Sequence, residues 1–287
     1  MARILLNDQI LEQDQAALSV TDGGFLYGMG LFETLRANRG RVFAISDHLD
    51  RLFSSTAKLS IPCPYDKPWF ENAVHRVLQA NELIDARIRL TLTTGPIRHD
   101  EDPNPTVLIT AAPLQPYSRE YYDKGIRVIV TDFRQNPADP TIGHKTTSYF
   151  SRLFALQAAH RKNATEALWF TTGNFLAEGC ISNVFLVRNS TLLTPSVDTP
   201  VLPGIARKHL CRLAGEEMIS LSESRLTIQD LLGAEEVFIS NVIMGVMPVV
   251  GVESHTVGDG KVGPITKKLM KAFDCLLTSD SEPGDRP

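Results

Sequence analysis

One lysine, one carboxylate and one arginine stand in this 287-residue chain in settings that favour chemistry. Lys145 lies in Gly143-His144-Lys145-Thr146-Thr147-Ser148-Tyr149, where hydroxyl groups crowd beside the amine. A lysine acts as a nucleophile only after losing its proton, which desolvation or nearby positive charge promotes. Taken alone, it reads as a solvated lysine; the neighbouring Thr146, Thr147, Ser148 and Tyr149 weaken that reading. Glu178 lies in Leu176-Ala177-Glu178-Gly179-Cys180-Ile181-Ser182-Asn183-Val184-Phe185, among apolar strand residues. Burial there is costly without a partner; the alternative is an edge-strand glutamate facing water. Arg51, in His48-Leu49-Asp50-Arg51-Leu52, carries a planar fork that grips phosphate at two points, or else sits on the polar side of a surface helix. Pro203-Gly204-Ile205-Ala206 opens a helix whose first amides can bind an anion.

In this order the groups form a kit for pyridoxal 5'-phosphate. The lysine carries the aldehyde as a Schiff base, and the carboxylate faces the pyridinium nitrogen. The helix start and the arginine hold the phosphate. The Tyr149 hydroxyl is a candidate partner for the cofactor's phenolic oxygen.

The elements that must position these groups follow from periodicity. Strands dominate the first forty residues, broken by Asp22-Gly23-Gly24 and Asn38-Arg39-Gly40. Ser46-Asp47 predicts a helix cap ahead of Leu49, Leu52, Phe53 and Ala57 at helical spacing. Pro68 opens a second helix with Phe70, Val74, Val77 and Leu78 on one face. Residues 87–93 and 106–112 read as strands, joined by the polar loop 95–105. Further strands are expected at 125–130, 167–171, 175–178, 183–187 and 235–240, and helices at 149–160, 205–214, 228–232 and 265–277. A tight turn falls within 187–192, and the polar tail 279–287 reads as frayed. Strands and helices interleave without the strict alternation of a parallel sheet, so the fold class is α+β. The domains are 1–112, a proline-stiffened linker at 113–124, and 125–287 carrying the lysine.

Bulk properties narrow the partners. A net charge of -4 gives no reason to expect nucleic acid or an anionic membrane. No apolar run reaches the roughly 18 residues of a membrane span, and residues 1–8 read as strand and turn rather than as a signal peptide. Cys63, Cys180, Cys211 and Cys275 show no C-x-x-C spacing; they are expected as small buried residues in a reduced, cytoplasmic setting. Gly28-Met29-Gly30 lacks the third glycine of a dinucleotide fingerprint, and Gly258-Asp259-Gly260-Lys261 is too short for a phosphate loop. No metal-ligand cluster is legible, so no metal is expected.

The order of motifs resembles the class IV aminotransferase family, the pyridoxal phosphate enzymes of fold type IV. Its members include branched-chain and D-amino acid aminotransferases, (R)-amine transaminases and 4-amino-4-deoxychorismate lyase. The resemblance runs from about Asn7 to Glu253. It implies a two-domain architecture like that of D-amino acid aminotransferase, an active site between the domains, and a homodimer. It also implies that Lys145 is the Schiff-base and proton-shuttle lysine, that Glu178 binds the ring nitrogen, that Arg51 binds the phosphate, and that Ile205 and Ala206 lend it backbone amides. Ser240, Asn241 and Val242 fall on the cofactor side by the same resemblance. Related chains often carry threonine where Ala206 and Val242 stand; without those hydroxyls the phosphate relies more on amides, Arg51 and Ser240.

The member of the family is less sharply marked. Thr34 stands where branched-chain enzymes usually carry glycine and lyases often carry threonine. Ser240-Asn241-Val242 is also lyase-like. Arg98-His99 loosely matches the substrate-carboxylate pair of D-amino acid aminotransferases, and otherwise reads as a solvated loop. Tyr27 and Arg36 are further candidates for the substrate side, although Tyr27 also suits core packing. The expected activity is transfer of an amino group between an amino acid and a 2-oxo acid. The alternatives are aminodeoxychorismate lyase and a non-catalytic module that binds the cofactor or a metabolite.

Overall fold

The computed structural model describes residues 2–97 and 104–278, which form two compact units. The first comprises residues up to 115 together with 144–149; the second comprises 116–143 and the described residues from 150 on.

The first unit contains β1 (Arg3–Leu6), β2 (Gln9–Glu12), α1 (Gly23–Tyr27), β3 (Gly30–Asn38), β4 (Arg41–Val42), α2 (Ile45–Lys58), α3 (Lys67–Ala80), β5 (Ala86–Thr93) and β6 (Thr106–Pro113). Its antiparallel sheet runs β2-β1-β6-β5-β3-β4. Alternation puts Ile88, Leu90 and Leu92 of β5 into the core and Arg87 and Arg89 on the other face. Leu31 and Leu35 of β3 join that core with Leu49 and Leu52 of α2 and Phe70, Val74 and Val77 of α3. Asp66 caps α3 by accepting Trp69 N–H at 2.9 Å, and Pro68 sits in the first turn as expected. The cap expected at Ser46-Asp47 is absent. Helix α2 starts earlier, at Ile45, because Ala44 takes a left-handed φ of 48° and no side chain caps it; Asp47 instead lies in the first turn, where its charge suits the helix dipole.

The second unit contains α4 (Arg119–Lys124), β7 (Ile126–Gln135), α5 (Phe150–Arg161), β8 (Glu166–Thr171), β9 (Leu176–Gly179), β10 (Asn183–Arg188), β11 (Thr191–Pro195), α6 (Ile205–Glu216), β12 (Ser220–Ser224), α7 (Ile228–Leu232), β13 (Glu236–Asn241), β14 (Gly245–Val252), β15 (His255–Thr256) and α8 (Pro264–Thr278). Its nine-stranded mixed sheet runs β12-β11-β10-β13-β14-β7-β8-β9, with β15 on β14. Strands β7 and β8, β7 and β14, and β11 and β12 pair in parallel. Asn189 and Ser190 both take positive φ in the two-residue turn between β10 and β11, the geometry that matches strand twist. Strands β12 and β14 carry no clear sequence signal: one is polar and the other is interrupted by Pro248.

Two expectations change. The stretch read as a linker is occupied by the end of β6 and by α4. Lys145 packs with the first unit rather than with the C-terminal one, because its segment pairs with β3. Of the cysteines, Cys180 is buried, Cys63 and Cys211 are half-buried and Cys275 is exposed. No helix among the described residues is long and apolar enough to cross a membrane. The tail 279–287 lies outside the described residues.

Glu236, buried on β13, caps α8 from 30 residues away. Its carboxylate accepts Ile265 N–H at 3.1 Å and Thr266 N–H and O–H at 2.7 Å. Glu236→Ala orphans these donors and is expected to destabilise the protein by about 1–3 kcal/mol, read as a lower urea midpoint; an unchanged midpoint would show that the cap is dispensable.

Candidate active site

The first unit builds a cluster on β3. Glu33 shares the core-facing side of that strand with Leu31 and Leu35 and is 1% exposed. Helix α2 supplies its partners one turn apart. His48 Nδ1 lies 2.7 Å from Glu33 Oε2, and Arg51 donates through Nε to Oε1 at 2.8 Å and through Nη2 to Oε2 at 2.5 Å. Burial pushes the Glu33 carboxyl up, but Arg51 and His48 outweigh it and hold the group at about 2. Burial pushes His48 below the usual imidazole range, helped by the charges of Arg51 and Lys145 against the pull of Glu33. Arg51 is thus no surface arginine: its side chain is 10% exposed and its fork is aimed by a bidentate pair.

Lys145 is held by backbone bonds to the same strand. Phe32 N–H donates to Lys145 O at 2.8 Å, Thr147 N–H donates to Gly30 O at 2.8 Å, and Thr147 Oγ1 donates to Gly28 O at 2.8 Å. His144 Nδ1 lies 2.8 Å from Ser55 Oγ of α2, pinning the residue before it. Gly28 ends α1 with φ 68°, and a Cβ there would come within 3.1 Å of Ser148 Cα, so both conformation and space call for glycine. The Lys145 amine lies 4.3 Å from the Phe32 ring centroid and 5.7 Å from that of Tyr149, and the two rings meet edge to face at 5.2 Å. Thr34 and Arg36 follow Phe32 on the same face of β3, both half-buried. Arg89 of β5, opposite Thr34, stacks over Phe32 at 3.9 Å. Burial, then the charge of Arg87, pushes Arg89 below the usual guanidinium range. Tyr27 is 67% exposed and packs in no core. Arg98 and His99 lie outside the described residues.

The second unit builds its own cluster at Glu178, which is 2% exposed. Oε1 accepts Gln135 Nε2 at 2.9 Å and Arg152 Nη2 at 2.5 Å, and Oε2 accepts Leu202 N–H at 3.0 Å. The glutamate is therefore no edge residue facing water. Leu202 leads into α6, whose N-cap is Gly204 with no side-chain cap. A Cβ on Gly204 would fall 1.9 Å from Asn183 Oδ1, so this helix start can approach β10 only as glycine. Ile205, Ala206 and Val242 are buried. The Ser240 hydroxyl, on β13 opposite Asn183, is buried with no hydrogen-bond partner. Asn241 is engaged locally: Oδ1 accepts Ile243 and Met244 N–H, each at 2.9 Å, and Nδ2 donates to Ile181 O at 3.1 Å. Burial, then Glu166, pushes the Cys180 thiol up to about 12, which leaves it inert.

This donor set fits pyridoxal phosphate. An ionised carboxylate offers about four lone-pair positions, and Glu178 uses three, leaving one on Oε2 for a ring N–H. An uncapped 12-residue helix start and an orphaned hydroxyl suit a phosphate. The two clusters also contain Glu33, His48, Gln135 and Arg152, which sequence reasoning does not single out. Glu33 had one signal, a charge at a core-facing position of an apolar strand; Gln135 and Arg152 had none, since each meets Glu178 only through tertiary contact.

The family model for amino-transferase class IV matches residues 30–252. A putative branched-chain-amino-acid aminotransferase of Methanocaldococcus jannaschii is 36% identical, with 96% of each chain covered. A D-alanine aminotransferase of Listeria innocua is 31% identical over 94% of each. The crystal structure of the Escherichia coli branched-chain amino acid aminotransferase superposes with a TM-score of 0.92 at 28% identity, covering 99% of this chain and 97% of that one. The α+β fold with two sheets is that of these relatives, and the chain belongs to the class IV aminotransferases.

Proposed function

We propose that this protein is a pyridoxal-phosphate-dependent transaminase that takes its amino group from a branched-chain L-amino acid and gives it to a 2-oxo acid. The observation that carries the reading is Lys145, anchored to β3 by backbone bonds with its amine over the Phe32 ring. The branched-chain donor rests on the 36% identity to the Methanocaldococcus jannaschii relative.

When bound, the cofactor supplies an aldehyde for the incoming amine and a ring that accepts electrons. The residues do the rest. Lys145, whose backbone is anchored to β3 and whose side chain is half-buried, would take the proton from the substrate's Cα and hold it for return. Glu178 would accept the ring N–H. Arg51, aimed by Glu33, is the first unit's candidate to hold the phosphate; the amides of Ile205 and Ala206 and the Ser240 hydroxyl are those of the second. Tyr149 bonds the phenolic oxygen. Thr34, Arg36 and Arg89, on the Phe32 face, would select the substrate, with Tyr27, Arg98 and His99 as further candidates.

The protein acts as a homodimer in the cytoplasm. Four cysteines outside any disulfide suit a reducing compartment. An exposed aromatic surface on the second unit supports self-association: Phe150 is 80% exposed, stacks on Phe154 at 5.8 Å, and continues through Leu153 and Phe133. Light scattering is expected to give twice the chain mass of 31.7 kDa, and Phe150→Glu to shift the population toward monomer; a wild-type monomer would refute the dimer.

The reading is tested by absorbance of the protein with pyridoxal phosphate. L-leucine is expected to convert the bound aldehyde form to pyridoxamine phosphate, and Lys145→Ala to abolish the conversion. Conversion by D-alanine alone would assign a D-amino acid enzyme. Failure of every amino acid, with pyruvate released from aminodeoxychorismate, would assign the lyase.

Glu33 sets an acid limit. Its folded value of about 2 lies below the ordinary 4.5, so the unfolded chain binds the proton more readily. The stabilisation is complete above pH 4.5 and is lost as pH falls toward 2; its size is about 3 kcal/mol. Glu33→Gln is expected to lower stability at neutral pH and to flatten this acid slope in urea melts; an unchanged slope would assign acid sensitivity elsewhere.

A further inference from the structure

The two oxygens of Glu178 are employed differently. Oε1 is held from two elements, by Gln135 at the end of β7 and by Arg152 of α5, whereas Oε2 takes a single backbone N–H, that of Leu202. The same Arg152 reaches past the side chain. Its Nη1 donates to Gly179 O at 3.1 Å and to Cys180 O at 3.4 Å, so one guanidinium ties the carboxylate to the turn that follows it.

That turn is held from its other polarity by Glu166. This buried carboxylate accepts Cys180 N–H at 3.0 Å, Ile181 N–H at 3.3 Å and Ser182 O–H at 3.1 Å. Carbonyls go to Arg152 and amides go to Glu166. The turn is too tight to drift, since a Cβ at Gly179 would fall 2.3 Å from Ser182 Oγ. With the backbone fixed, the free variable is the carboxylate's own terminal torsion, which is broad and roughly two-fold. A charge-assisted bond on one oxygen sets it.

We propose that Arg152 is a positioning residue: it occupies Oε1 and so presents Oε2 of Glu178 to the ring nitrogen of the cofactor. This rests on the reading of Glu178 as the nitrogen's partner. Without Arg152, Oε1 keeps only the Gln135 amide and the turn loses its donor to two carbonyls. The carboxylate then points at the ligand for less of the time, and only ligands that carry the ring N–H feel the loss.

The test compares pyridoxal phosphate with its 1-deaza analogue, in which C–H replaces the ring nitrogen. Binding of each to the full chain is titrated spectroscopically for the wild type, Arg152→Met and Arg152→Lys. The wild type is expected to prefer pyridoxal phosphate. Arg152→Met is expected to weaken pyridoxal phosphate about tenfold while the analogue changes by less than about twofold. Arg152→Lys keeps the charge but loses the fork, and is expected to cut the preference by about threefold; it carries the same comparison if the methionine variant does not fold. Equal weakening of both ligands, or an unchanged preference in the lysine variant, would reduce Arg152 to a fold support and overturn the proposal. No preference in the wild type would instead overturn the reading of Glu178 itself.

Discussion

A carboxylate buried on an apolar strand must be met by a cation or by several N–H donors, or it does not stay buried as an ion. Each unit of this protein has such a carboxylate at its candidate cluster. In the first, Glu33 draws His48 and Arg51 of α2 onto β3. In the second, Glu178 gathers Gln135, Arg152 and the amide of Leu202 from three separate parts of the chain. Neither pair is a strong argument for stability, since apolar side chains would fill the same space at lower cost. Both make sense as devices for direction. Glu33 fixes the plane of a guanidinium, and Arg152 fixes that of a carboxylate.

The lysine is placed by a different means. Residues 144–149 leave the second unit and return to it, and in between they join β3 of the first through a bridge at Leu31 and Thr146 and the bonds to Phe32 and Gly30. Main-chain pairing gives a flexible side chain a rigid base. The amine is then set over Phe32, on the face of β3 opposite Glu33, by strand alternation alone. Glycine is needed at Gly28 and Gly204 for the same general reason, close approach of chain to chain.

Ala206 and Val242 carry no hydroxyl, so the polar groups offered near the start of α6 are backbone amides and the Ser240 hydroxyl. An uncapped helix start offers several amides at once, and the unpartnered Ser240 hydroxyl lies on β13, in register with Asn183 beside that start. Asn241, by contrast, is absorbed in closing the turn from β13 to β14. The neighbouring positions 240 and 241 therefore differ in role even though both belong to one motif.

The sequence by itself determined what depends on local order. Hydrophobic period marked β5, β6, α3 and α8, since alternation and helical spacing are properties of consecutive residues. The order of Arg51, Lys145, Glu178 and Pro203-Gly204 pointed to the family to which the chain belongs. Tertiary structure alone decided the rest. Arg152 and Gln135 look like any polar residues until α5 and the end of β7 converge on Glu178. Lys145 reads as part of the second half of the chain until β3 offers it a partner. Ala44 starts α2 without a cap, because the packing of that helix on β3, through Leu49, Leu52 and the Glu33 cluster, outweighs the missing bond. In each case the deciding contact joins residues distant in sequence, and neither periodicity nor spacing can record it.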